Sequence, residues 1–176
     1  GLQTNDARVL GAIQFENEIQ FVGNTINPET GFSAIYHGVI SDINGTPSIH
    51  GTIIGDTVQD FAYPNIAWSG NESCDREVII AFNCSSPTDF PGNASIHVAN
   101  DRSYSSVKVI KEGYNIVDRF NNNDYERWGD YFGLQAKHNE PGKVYGFGFL
   151  PLSNKSNSGF GSELMSPDTS TFHIST

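Results

Sequence analysis

Residues 125–135 read Tyr125-Glu126-Arg127-Trp128-Gly129-Asp130-Tyr131-Phe132-Gly133-Leu134-Gln135, and residues 139–149 read Asn139-Glu140-Pro141-Gly142-Lys143-Val144-Tyr145-Gly146-Phe147-Gly148-Phe149. The pattern is two short strands joined by a polar turn. Pro141-Gly142 marks the turn, since this dipeptide suits the φ values a tight reversal needs. The first strand is aromatic and glycine-rich. The second alternates bulky residues with Gly146 and Gly148. Glycine at alternate positions strips one face of side chains, so another backbone or sheet can come close there.

Read outward from this hairpin, the chain repeats one unit. Upstream, residues 8–14, 19–23, 32–40 and 48–54 read as four strands, separated by turns such as Asn27-Pro28-Glu29-Thr30-Gly31 and Asn44-Gly45-Thr46-Pro47. Proline presets the start of such a turn and glycine supplies positive φ. Residues 63–68, 77–83, 94–99 and 106–111 form a second set of four. Residues 129–135, 144–150, 160–165 and 170–174 form a third. First strands begin near 8, 64 and 129, giving spacings of 64 − 8 = 56 and 129 − 64 = 65. Compact propeller repeats run to roughly 40–50 residues; the excess falls in residues 55–61 and 113–127, which read as connections between units. Residues 113–120 are the nearest thing to a helical period.

Three four-stranded antiparallel meanders in series predict an all-β chain, a partial β-propeller with blades at about 8–54, 63–111 and 128–176 within a single partial domain, 1–176. Propeller rings close with about four to eight blades, so three leave the ring open. Either the residues belong to a longer polypeptide, or a second copy or another chain completes the ring. A β-sandwich is the alternative, because its strands also come at short, regular spacing.

Composition narrows the partners. A net charge of −10 with only ten lysines and arginines repels phosphate backbones and anionic membrane surfaces, which argues against nucleic acid. No apolar run of about 18 residues predicts membrane insertion. Residues 1–4 lack the basic head and apolar run of a signal peptide. Cys74 and Cys84 flank residues 77–83, which read as one strand. Seven extended residues cover roughly 23 Å, against the about 4.4–6.8 Å a disulfide allows between Cα atoms, so geometry weighs against a bridge.

The run Tyr125-Glu126-Arg127-Trp128-Gly129-Asp130-Tyr131, followed by Asn139-Glu140-Pro141-Gly142, resembles the last part of sialidase-like β-propeller domains found in large secreted proteins of Bacteroidota, often with a type IX secretion signal. Tyr36-His37-Gly38-Val39-Ile40 and Tyr63-Pro64-Asn65-Ile66-Ala67, with Phe90-Pro91-Gly92 downstream, fit the same family. The resemblance covers roughly residues 20–150. It implies a propeller and a secreted or cell-surface setting, without implying a reaction. The departures are the Asp-box, Ser-x-Asp-x-Gly-x-Thr-Trp, and the Arg-Ile-Pro motif of true sialidases, both missing. Sialidases also need an arginine triad for a carboxylate, and the five arginines are scattered along the chain, with Arg127 beside a plausible channel-lining strand. No type IX signal is legible in residues 170–176.

Candidate ligand-binding residues cluster at the inner rim that a propeller would have: Glu126, Arg127, Trp128 and Asp130, with Tyr63 and Asn65 in the preceding unit. Glu126 and Asp130 could act as paired carboxylates, or could cap turns and pair with arginine. Trp68 and Trp128 could stack on sugar rings, or pack between sheets. The five histidines lack metal-ligand spacing, and His37, His50 and His97 fall within strands. No cofactor is expected; Asp42-Ile43-Asn44-Gly45 and Asn121-Asn122-Asn123-Asp124 offer oxygen ligands that would suit calcium, or turn chemistry alone. Sequons at Asn44, Asn71, Asn83, Asn93 and Asn154 fit an exposed extracellular surface. Asp56-Thr57-Val58 resembles the bacterial O-glycosylation motif.

The expected function is a non-catalytic extracellular module for binding or assembly, with a completing chain or second copy as partner and glycan as a candidate ligand. Two alternatives stand beside it. One is a sialidase-like glycoside hydrolase whose site is shared with blades outside this chain. The other is a structural component of a surface fibre or secretion complex.

Overall fold

A computed structural model describes residue 4, residues 6–117 and 129–151, and the backbone of 157–165 and 173–175. Among the described residues, twelve strands make three four-stranded antiparallel sheets, each a meander in chain order. The first holds β1 (Val9–Phe15), β2 (Glu18–Ile26), β3 (Ser33–Ser41) and β4 (Ser48–Ile54). The second holds β5 (Asp60–Trp68), β6 (Val78–Ser85), β7 (Gly92–Val98) and β8 (Lys108–Glu112). The third holds β9 (Gly133–Ala136), β10 (Lys143–Pro151), β11 (Asn157–Met165) and β12 (His173–Ser175).

The second sheet lies between the other two, and its sequence shows why. A strand covered on both faces has no reason to alternate, and Val78-Ile79-Ile80-Ala81-Phe82 in β6 is buried at every position. Val78, Ile80, Phe82 and Cys84 face the first sheet and pack with Val22, Ile35 and Phe61. Phe61 and Phe82 set their rings 4.7 Å apart. The opposite face gives Ile79 and Ala81 to a cluster with Phe132 and Val144 of the third unit. Each fully buried large apolar side chain contributes about 1.5–3 kcal/mol, so β6 is the centre of the core. The sheets converge on β5, which lies against β1, β2, β3 and β9; the outer strands β4 and β8 have no comparable contact with each other.

Gly146 and Gly148 fall on the buried face of β10, as the glycine alternation predicts. A methyl group on Gly148 would stand 2.7 Å from the Phe132 ring and 3.0 Å from Asn93 Oδ1, so only glycine allows this approach.

Several boundaries differ from expectation. The strand expected over 129–135 starts only at Gly133, because the carbonyls of Gly129 and Phe132 bond to asparagine side chains of the second sheet instead of to β10. The strand expected from Tyr63 begins at Asp60 and carries a register shift between Ala62 and Asn65. That irregularity accommodates Pro64, which has no N–H for a ladder. Among the described residues there is no helix, and residues 113–117 follow bends: Gly113 N–H donates to Pro91 O and Tyr114 N–H to Pro151 O, tying the segment to neighbouring strands. Both cysteines are free thiols, Cys74 exposed and Cys84 buried.

Candidate functional site

The two sheet junctions hold most of the buried polar groups, and they are built differently. At the junction of the second and third sheets, asparagine side chains hold the segment that leads into β9. Asn83 Nδ2 donates to Gly129 O at 2.5 Å, and Asn65 Nδ2 donates to Phe132 O at 2.6 Å. Asn93, opposite Asn83 in the β6–β7 register, donates to Asn83 Oδ1 at 2.6 Å. Asn83 and Asn93 are fully buried. A buried carbonyl left unpartnered costs about 1–3 kcal/mol, so each amide matters. Gly129 has φ +66°, and a Cβ there would meet Asn83 Nδ2 at 2.3 Å. Its place in the Trp-Gly-Asp run therefore has a steric and a conformational reason.

The Asn-Glu-Pro-Gly turn has a matching role. Gly142, at φ +81°, donates its N–H to Gly70 O of the second sheet's first turn at 2.9 Å. A side chain on Gly142 would collide with Asn71 Oδ1 at 2.5 Å. Glu140 braces the turn through Lys137 (2.7 Å) and Lys143 (2.9 Å), which hold its carboxyl below the ordinary glutamate range.

At the junction of the first and second sheets, a chain of polar side chains runs through the packing layer. Arg102 pairs with both carboxylate oxygens of Glu18. Glu18 Oε1 accepts from Gln20 Nε2 at 3.0 Å, which also reaches Arg76 O at 3.0 Å. Gln20 Oε1 then faces His37 Nε2 at 3.1 Å, and His37 Nδ1 faces the Tyr104 hydroxyl at 2.8 Å. Because the Gln20 amide nitrogen is used on acceptors, its oxygen must accept. His37 is thus the Nε2–H tautomer, with Nδ1 accepting from Tyr104. Burial, with a smaller contribution from the Arg102 charge, lowers its pKa from 6.5 to about 4. His37 is neutral at pH 7. Nearby, Asn24 Oδ1 accepts from Tyr63 N–H at 2.8 Å, and Asp60 Oδ1 accepts from Ser33 N–H at 2.8 Å.

The expected rim residues are placed as follows. Glu126, Arg127 and Trp128 lie outside the described residues. Asp130 is half-buried, next to Tyr131, which is 78% exposed. Tyr63 is 2% exposed, at φ 53°, and packs with Leu10, Ala62 and Val117. Asn65 is the half-buried clamp described above. The structure thus brings Asn65 to the 129–132 segment and sets Tyr63 in the core beneath β1. Trp68 donates Nε1–H to Asp75 O at 3.0 Å, closing on its own turn. His97 faces Glu77 at 3.2 Å. Asp42 uses its carboxylate within its own loop, accepting from Thr46 N–H (2.8 Å) and Asn17 Nδ2 (3.2 Å), which lowers its pKa. Among the described residues no group of three or more His, Cys, Asp or Glu side chains could hold a metal ion.

The sequons divide. Asn44 and Asn71 are exposed, whereas Asn83 and Asn93 are core residues, contrary to the surface placement expected for all five. Asn154 lies outside the described residues. The Asn83–Asn93 pair and the His37 relay are not legible as sites in sequence, since each joins residues on different strands. The one available signal was polar residues at buried-strand phase.

No protein-family model, curated protein or solved structure matches this chain. What is established is an all-β protein of four-stranded antiparallel sheets.

Proposed function

We propose that the chain is an extracellular or cell-surface module of the sialidase-like propeller type, with its three sheets as consecutive blades, and that it acts by binding or assembly without catalysis. The observation that carries this reading is the use of the polar groups around the inner strands. Asn65, Asn83, the Asn-Glu-Pro-Gly turn and the Gln20–His37–Tyr104 chain bond one sheet to the next. They act as joints between sheets. The gathering of β1 and β9 on β5, with β4 and β8 apart, supports a fan of blades about an axis. The resemblance of the 125–142 run to secreted sialidase-like propellers supports the extracellular setting.

Asp130 beside the exposed Tyr131 favours one second reading, a glycoside hydrolase whose site is completed by further blades. A carboxylate and an aromatic at a rim suit acid–base work on a sugar. The two readings separate in one experiment. The purified chain is incubated with a panel of sialosides and other glycosides, and the same compounds are titrated by calorimetry. No turnover is expected. Hydrolysis that disappears in Asp130→Asn, with folding intact by circular dichroism, would overturn the non-catalytic reading.

A further inference from the structure

Among the described residues, β4 is an edge strand without protection. It is hydrogen-bonded to β3 alone and lies beyond the cover of the second sheet, so that Ser48, Ile49, His50, Gly51 and Ile53 are exposed, on both faces of the strand. Ser48–Ile54 make no hydrogen bond to the described residues outside the β3–β4 ladder, which leaves one row of N–H and C=O groups facing away from the sheet. Proteins usually blunt such an edge with lysine, proline, a bulge or a short strand. The corresponding edge of the second sheet, β8, does so: it has five residues, two of them lysine, and a register shift against β7. By contrast, β4 has seven residues, Ser-Ile-His-Gly-Thr-Ile-Ile, with no charge, no proline and an unbroken register with β3. A further sheet laid on either face of the first would cover side chains and leave this edge open.

We infer that β4 pairs with β4 of a second copy, antiparallel across a twofold axis at Gly51, so that two first sheets become one of eight strands. The strand's own sequence selects a copy of itself. Reversed about Gly51, Ile49 meets Ile53, His50 meets Thr52 and Ser48 meets Ile54, and the two members of each pair stand on one face of the sheet. All seven residues are paired in this register. Ile49 is 63% exposed and Ile53 45%. They make two isoleucine pairs across the junction, and cross-strand pairs of this kind are what stabilise a sheet. Glycine opposes glycine at the axis. The Tyr36 ring lies over Gly51, so the opposed glycines leave room for the rings of both copies. No like charges face each other along the strand, which matters in a chain of net charge −10. The new ladder adds about six to eight hydrogen bonds. Each copy uses its edge once, so the contact is closed and does not grow. A contact of one strand belongs to the small interfaces, and a Kd of about 50 micromolar is expected. The pairing needs only the exposure and register of β4, so it stands apart from the propeller reading.

Sedimentation equilibrium of the 176-residue chain from about 5 to 500 micromolar tests this, since that range brackets the expected Kd. The mass should rise from 19.3 kDa towards twice that value and stop there. Ile49→Lys changes an exposed side chain and puts a charge on the edge. It should leave far-UV circular dichroism unchanged and weaken the dimer about tenfold or more. Ile19→Lys, in the same cross-strand row two strands inward, and Val109→Lys on β8 should leave the dimer as it is. Cysteine pairing in a Cys74→Ser background reads the register. Opposed residues lie within disulfide reach, so Ile49→Cys mixed with Ile53→Cys should cross-link in air. Ile49→Cys alone should not, because its two sulfurs are offset by four residues, roughly 13 Å. A chain that stays at 19.3 kDa throughout overturns the inference. So does a dimer untouched by Ile49→Lys. So does a dimer that Ile19→Lys also breaks with its fold intact, which would mean pairing through the face, and so does cross-linking of Ile49→Cys with itself in preference to Ile53→Cys.

Discussion

Acidification should attack the molecule first at His37. Its imidazole is fully buried between the first two sheets, and neutral Nδ1 accepts from Tyr104. Burial depresses the folded pKa to about 4, against 6.5 for the free side chain. Between those values the unfolded chain takes up a proton that the folded chain refuses. The contribution is therefore whole above pH 6.5 and is lost as pH falls towards 4. The interval of about 2.5 units, at about 1.4 kcal/mol per unit, comes to about 3 kcal/mol. Most of that, about 2.5 kcal/mol, is lost by pH 4.5. The carboxyls of Asp42, Asp75, Asp101 and Glu140 are lowered by their hydrogen bonds and titrate mainly below this window. Urea unfolding at pH 7.0 and 4.5 reads the drop. The comparison is His37→Gln, which keeps an N–H for Gln20 Oε1 and cannot take the proton. Wild type should lose about 2 kcal/mol more than the variant between the two pH values. An equal drop in both proteins would refute the assignment, as would an NMR tautomer with the proton on Nδ1 at pH 7.

Further outcomes follow from the junctions and the thiols. Asn83→Ala leaves Gly129 O and Asn93 Nδ2 without partners, and should cost about 2–4 kcal/mol, read as a urea midpoint lowered by about 1–2 M. Gly129→Ala forces a side chain into positive φ and against Asn83; it should cost about 2 kcal/mol or more. The double variant should be less than additive in the same unfolding assay, because both changes break one contact. Cys74 should react with a thiol reagent in the native protein. Cys84 is buried with its thiol pushed up to about 12, so it should react only on unfolding; mass spectrometry of labelled, digested protein reads both.

Much of the fold was legible in the residues. Turn dipeptides and alternating apolar runs mark the three groups of four strands, because hairpin pairing is local and its turn chemistry is written in glycine, proline and asparagine. The continuous apolar run of β6 announces a strand covered on both faces. The alternation of Gly146 and Gly148 announces a close approach. These are properties of single strands and short turns, so sequence alone determines them: an all-β chain of antiparallel meanders. Tertiary structure decided which side chains meet. Nothing in the spacing of Asn65, Asn83 and Asn93 tells that they hold residues 129–132, or that two sequon asparagines lie in the core. Nor does the sequence show that Gln20, His37 and Tyr104 form one relay, since their separation along the chain is long and their meeting depends on how the sheets stack. The same reason moved the start of β9: once Asn83 and Asn65 take the carbonyls of Gly129 and Phe132, that stretch has its bonds before a ladder can form.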